Sequence, residues 1–399
     1  MKITRRHTIA GLAASWSFSG ASIALANAAT DRRLVVILLR GALDGLAAVQ
    51  PYGDARLAGL RGPLALPHPG QPGGLLDLGG FYGLHPELAG MGAMYRAGDL
   101  LIVHAVAGAT RSRSHFDAQD SLECGTPSRI DSGWLNRVAA ALPQNAQAGG
   151  ALSVGVSLPL LLRGRAKVES WMPEGGAPPP PELFARIAAL NAADPAIGPA
   201  LREGLTSRGF AESVLMPVEA PADGKPARPD PARFSLPAMA GQAGRLLAAP
   251  NGPRIAALEI GGWDTHAGQM ARLIQPLRQL DQVLTSLRGG LGEAWGQTAV
   301  LVATEFGRTV RINGTNGTDH GTAGVAFLAG GAVAGGRVLG TWPGLTDSAL
   351  FENRDLAPSS DLRGVAWGVL AGQYGFGRRV LAEVFPGWSG EGTAGMIRV

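Results

Sequence analysis

The residues of this 399-residue sequence best suited to chemistry stand in short runs: Asp44, Ser114-His115, Asp264-Thr265-His266, Glu305 and Asp319-His320. Carboxylates and imidazoles together make a donor set for a divalent cation. An aspartate one residue from a histidine offers both to one ion where the turn aims them inward. Ser114 opens a predicted helix, where a hydroxyl can cap and where free amides and the positive dipole end favour an anion. With Arg111 and Arg113 beside it, this is a seat for an anionic ester group. Each residue also has a bland alternative. Asp44 and Asp264 suit turn or helix caps, Ser114 suits an N-cap, and His115 and His266 suit first-turn or surface positions.

The elements that carry these residues decide between the readings. Apolar runs over 34–39, 100–106, 254–260 and 298–304 have the near-unbroken character of strands buried on both faces, and 151–156 and 325–329 add two more. Asp44, Ser114-His115, Asp264-His266 and Glu305 each follow one of these strands, and Asp319-His320 lies just before the strand over 325–329. In open α/β sheets ligands collect beyond the carboxyl ends of the strands. A parallel topology brings these ends to one face, where three acids and two or three imidazoles need a cation to offset repulsion and desolvation. Helices are predicted over 86–96, from Ser114 onward, and over 133–142, 235–248, 361–373 and 378–385. Another places Met270, Leu273, Ile274, Leu277, Leu280, Leu284 and Leu287 on one apolar stripe. The fold class is therefore α/β: a doubly wound, mostly parallel sheet with helices on both faces. Residues 51–85 read as a Pro- and Gly-rich surface excursion. Residues 163–233, with four consecutive prolines from Pro178 and a proline-rich linker from Pro217, read as a cap or peripheral insertion.

The first 28 residues have the form of an export signal, with Arg5-Arg6 ahead of a mild apolar segment and small-residue cleavage sites at 24–28. The arginine pair points to the twin-arginine route, and thus to its export machinery as a partner and to a periplasmic or extracellular location. Residues 29–399 remain as the mature domain. Without the leader, 32 basic residues face 31 acidic ones, which is no footprint for nucleic acid. The leader is too short and too poor in leucine for a stable membrane span. A single cysteine, Cys124, excludes an intrachain disulfide, so stability comes from the core or from bound metal. The run from Cys124 to Arg129 has one residue too many for a sulfatase nucleophile motif, and Cys124 is not read as one.

The segments RGALDGL, RSHFDAQDSLECGTP, GGWDTH, TEFGRT and GTDHG, in that order behind a twin-arginine leader, resemble the family catalogued as domain of unknown function 1501, a branch of the alkaline phosphatase-like superfamily. The resemblance covers the whole mature chain and implies metal-dependent ester chemistry at the strand ends. It implies that Asp44 is a metal ligand, that Ser114 is the nucleophile, that Asp264 binds the other metal with His266 as its partner, and that His320 is the late ligand. His115 joins the candidate ligands. Where many members have Asp-His after the next strand, this chain has Glu305-Phe306. Either Glu305 takes that place, or Asp319-His320 carries the signature and Glu305 is an extra ligand or base. Arg113 or Arg308 would offset charge on the equatorial ester oxygens. One or two divalent ions are expected, with zinc, magnesium, manganese and calcium all open. Two functions follow. The first is an exported hydrolase of phosphate or sulfate esters on a small molecule or an envelope polymer. The second is a non-catalytic, metal-stabilised envelope protein that binds a polymer or assists a protein partner.

Overall fold

A computed structural model describes residues 31–143, 150–155, 157–173, 186–187, 189–191, 194, 197–215 and 231–398. The leader, the four consecutive prolines and most of the proline-rich linker lie outside the described residues.

The sheet grows from strand β1 (Arg33–Leu39), all seven residues of which are buried. Side chains alternate across a strand, so Val35, Ile37 and Leu39 enter one core layer while Leu34, Val36 and Leu38 enter the other. A strand apolar on both faces is stable only when both are covered. The remaining strands are β2 (Leu100–Ala107), β3 (Ala151–Val154), β4 (Val168–Trp171), β5 (Ile255–Ile260), β6 (Thr298–Thr304), β7 (Gly324–Ala329), β8 (Arg337–Leu339) and β9 (Ser360–Asp361). They form one nine-stranded sheet in the order β8-β2-β7-β6-β1-β5-β3-β4, with β9 pairing β2.

Helices α1 (Gly45–Ala48), α2 (Leu57–Arg61), α3 (Ala89–Arg96), α4 (His115–Cys124), α5 (Trp134–Ala141), α6 (Ile197–Leu215), α7 (Leu236–Ala248), α8 (Gln269–Leu291), α9 (Leu362–Tyr374) and α10 (Arg378–Val384) complete the main framework. Met91, Leu246, Leu280 and Leu287 bring α3, α7 and α8 onto one face of the sheet. Leu135, Val365 and Leu381 bring α5, α9 and α10 onto the other. Leu273, Leu277, Leu280, Leu284 and Leu287 of the α8 stripe are buried, but Ile274 is only partly so and Met270, expected to share it, is half exposed at the first turn.

Three details differ from the sequence reading. First, β7 runs antiparallel to both neighbours, β2 and β6. Its amino end, not its carboxyl end, therefore meets the carboxyl ends of the parallel strands. Second, β4 falls inside the expected insertion yet pairs in parallel with β3, so the sheet extends past residue 163. Helix α6 then packs on the same core layer through Phe210, Val214 and Leu215, and Ser207 Oγ donates to Glu169 Oε1 at 2.7 Å. Third, the segment 51–85 is more than a surface excursion. Leu76–Asp77 and Gly83–Leu84 form a small sheet with Val49–Gln50, and Arg61 is wholly buried.

Candidate metal centre

Four loops meet at this edge of the sheet. The loop after β1 turns at Gly41, whose φ of +114° suits only glycine and whose Cα approaches so closely that an added Cβ would lie 2.8 Å from the Asp264 amide nitrogen. The loop after β5 is anchored by Trp263, fully buried, whose Nε1 donates to the Ile260 carbonyl at 3.0 Å. Arg308, on the loop after β6, ties these together. Its buried guanidinium donates to the carbonyls of Ala42 (3.0 Å), Gly41 (3.0 Å), Trp263 (3.1 Å) and Thr318 (2.9 Å), and to Asp264 Oδ1 at 2.5 Å. Arg308 thus lies behind Asp264 with its donors occupied, and acts as a clamp on the site's floor.

Above that floor, three imidazoles close on one carboxylate oxygen. Asp264 Oδ1 lies 3.0 Å from His266 Nε2, 3.2 Å from His320 Nε2 and 3.6 Å from His115 Nε2. His266 Nε2 and His320 Nε2 are 3.0 Å apart. The other nitrogen of each ring faces an acceptor: His115 Nδ1 faces Glu305 Oε1 at 2.8 Å, His266 Nδ1 faces Asp319 Oδ1 at 3.1 Å, and His320 Nδ1 faces the Arg113 carbonyl at 2.8 Å. This is how metal-binding histidines are commonly oriented, by carboxylates and carbonyls on the far nitrogen. The donor atoms of His115, Asp264 and His320 all lie within 4.8 Å of one another, so these residues fit a metal ion.

The electrostatics agree. Burial opposes charge on Asp264, but Arg308, His320 and His266 outweigh it and hold the carboxyl below its usual range. Burial likewise opposes charge on Glu305, yet hydrogen bonds from its own amide, Gln119, the Gly41 amide and His115 hold it low. Asp319 is lowered chiefly by its hydrogen bond with His266, helped by Asn313. Burial pushes the His320 imidazole down, which favours the neutral ring that binds metal.

Other expected residues stand apart. Asp44 is fully buried, but its Oδ1 caps α1 by accepting from the amides of Leu46 (3.0 Å) and Ala47 (3.2 Å). Its Oδ2 accepts from Gln269 Nε2 at 2.5 Å and pairs with Arg61. The Arg113 guanidinium is held by Asp355 (2.7 Å) and Glu352 (2.6 Å), so it serves the centre only through its carbonyl. Ser114 stands at the start of α4, half buried, and its side chain does not cap the helix. Cys124 is buried, which pushes its thiol up and away from nucleophilic use.

The sequence reading missed four contributors. Gln119 donates to Glu305 Oε1 at 3.1 Å, and its place one turn after His115 was the available signal. Asn313 donates to Asp319 Oδ1 at 3.1 Å, from a polar loop that resembles many others. Arg61 and Gln269 carried no local mark at all.

The fold and site define a mixed α/β protein with a mostly parallel central sheet and a group of side chains able to bind a metal at one sheet edge. The chain belongs to the family described as protein of unknown function (DUF1501), whose model matches residues 91–385. No curated protein matches the sequence. Among solved structures, a single-site mutant of TAB5 alkaline phosphatase with magnesium bound in its M3 site is similar at 13% identity. The match covers 75% of this chain and 91% of that one, with a TM-score of 0.33, which is too distant to support an argument about this site.

Proposed function

We propose that this chain is an exported, metal-dependent hydrolase of phosphate or sulfate esters with an alkaline phosphatase-like arrangement. The observation that supports it is the meeting of His115, Asp264, His266 and His320 on one point at the carboxyl edge of the sheet. A divalent ion bound there supplies a Lewis acid that draws charge from an ester oxygen and lowers the pKa of an attacking hydroxyl or water. His115, Asp264 and His320 hold the ion, Glu305 and Asp319 fix two of the imidazoles, and Arg308 fixes Asp264. Ser114, next to His115 and with a hydroxyl not engaged in capping, is the candidate nucleophile. The first amides of the ten-residue α4 and the exposed Arg111 offer the ester its anion contacts.

The assay is hydrolysis of aryl phosphate, phosphodiester and aryl sulfate by the mature protein with zinc or manganese. Turnover is expected to fall at least about 100-fold in His320→Ala. Loss in Ser114→Ala assigns the hydroxyl as nucleophile, and survival there assigns a water. Bound metal with no turnover on any ester would overturn the hydrolase. Export is tested by changing Arg5 and Arg6 to lysine: folded precursor should stay in the cytoplasm, and unchanged secretion would contradict the twin-arginine route.

One observation favours the second reading, a metal-stabilised envelope protein that binds a polymer or assists a partner. Both arginines expected to face the ester oxygens, Arg113 and Arg308, are engaged by protein groups.

A further inference from the structure

We infer that the centre takes a single borderline transition-metal ion of the zinc class in a four-donor set of His115, Asp264, His266 and His320, and that arginines occupy the places a second ion would need. This rests on the metal-binding part of the reading above and not on its ester chemistry.

The atoms facing the three Nδ1 positions are two carboxylate oxygens and a backbone carbonyl, none of which can donate. Nδ1 is therefore the position that carries the hydrogen when a ring binds metal, and Nε2 is the nitrogen each ring turns toward Asp264. Two of these nitrogens, on His266 and His320, lie 3.0 Å apart beside a carboxylate oxygen, a spacing that needs a proton or a metal cation among them and that a metal ion bound by all of them satisfies at once.

The spacing suits a small one. Donors about 2.0–2.1 Å from a tetrahedrally bound zinc stand about 3.3 Å from each other. The separations from Asp264 Oδ1 run from 3.0 to 3.6 Å. Three nitrogens and one oxygen also choose the metal: magnesium and calcium require mostly oxygen, whereas imidazole suits zinc and its neighbours.

The buried carboxylates of Asp44 and Glu305 are already taken and do not offer a second ion a place. Both oxygens of Asp44 are occupied, by α1 amides on one side and by Arg61 and Gln269 on the other. Glu305 Oε1 accepts from Gly41, Gln119 and His115, and Oε2 accepts from the Thr304 hydroxyl. Arg308 lies against Asp264 itself. Arg61 and Arg308 thus supply at Asp44 and Asp264 the positive charge that a second cation would bring. His266, the most exposed of the three imidazoles, is then the ligand nearest solvent and the one whose release would open the ion to an incoming oxygen.

The test is equilibrium dialysis of the mature protein against zinc, with magnesium and calcium in large excess. Metal per chain is read by elemental analysis and affinity by competition with a chromophoric chelator. One zinc per chain is expected, unmoved by the excess. His266→Ala and Asp319→Asn should retain one ion but bind it about 10–100-fold more weakly. The cobalt-loaded protein should show the intense visible bands of a four-coordinate ion and lose them in His266→Ala. Two ions per chain, displacement of zinc by magnesium, or wild-type affinity and spectrum in His266→Ala would each overturn the inference. One tightly held zinc without turnover on any ester would defeat the hydrolase and leave this inference standing; two ions with turnover would do the reverse.

Discussion

Asp44 and Arg61 show at the scale of a single residue how a carboxylate can be kept for structure where sequence reading suggests a ligand. Both side chains are 1% exposed, and each is the other's charge partner. Removing one member of such a pair leaves an uncompensated buried charge and costs about 3–5 kcal/mol. Arg61→Met should therefore lower unfolding free energy by about that amount, measured by urea titration, and a loss under about 1 kcal/mol would show the pair to be unimportant. His104 gives a second residue-scale prediction. It is buried, its Nε2 donates to the Val49 carbonyl (3.0 Å) and its Nδ1 accepts the Ala105 amide (2.9 Å), so the ring is held neutral. Burial pushes its pKa down to about 4 from 6.5. Below about pH 6.5 the unfolded chain takes up a proton that the folded chain refuses until about pH 4. The stability it confers is whole above that window and falls through it by up to about 1.4 kcal/mol per pH unit. Urea midpoints at pH 7, 6 and 5, with chelator present, should fall in wild type and fall less steeply in His104→Gln; equal slopes would refute this. The candidate ligands themselves were legible because His115, Asp264 and His266 follow apolar runs and His320 stands shortly before one. Arg61 was not, because burial of an arginine inside a Pro- and Gly-rich stretch depends on contacts far away in sequence.

At the scale of elements, the centre depends on two loops laced together at the start of β7. Gly307 N donates to the Thr322 carbonyl at 2.9 Å and Gly321 N to the Gly307 carbonyl at 2.8 Å, which sets Arg308 opposite His320. A Cβ on Gly307 would lie 1.9 Å from the Ala323 carbonyl oxygen, a contact with backbone that cannot yield. Gly307→Ala should cost about 1–3 kcal/mol, as overpacking does. It should also weaken metal binding, because Arg308 and His320 move apart. Unchanged zinc affinity by chelator competition would show that the lacing does not position the centre. Periodicity located most of these elements, since strands buried on both faces and the α8 stripe follow from local pattern. The direction of β7 did not follow, because an apolar run of six residues reads the same whichever way its neighbours point. That direction is what lets Asp319 and His320, which precede their strand, share an edge with residues that follow theirs.

At the scale of the whole molecule, one sheet with helices on both faces brings segments separated by more than 200 residues, such as His115 and His320, to within 4.4 Å between ring centroids. The described residues contain no helix long and apolar enough to cross a membrane. With a single cysteine the chain can form no intrachain disulfide, so an ion held at the proposed centre would act as its cross-link. An ion at about 100 times its dissociation constant would add about 2.7 kcal/mol to stability. The α/β class and the gathering of strand-end residues were legible because both rest on apolar pattern and chain order. Which carboxylates stay free for metal was not, because it depends on the arginines that reach them after folding. The most direct test of the account is anomalous diffraction at the zinc edge from crystals of the mature protein grown with zinc. The account predicts one strong peak per chain, bounded by Nε2 of His115, His266 and His320 and the carboxylate of Asp264. No peak there, or a stronger one beside Asp44, would contradict it.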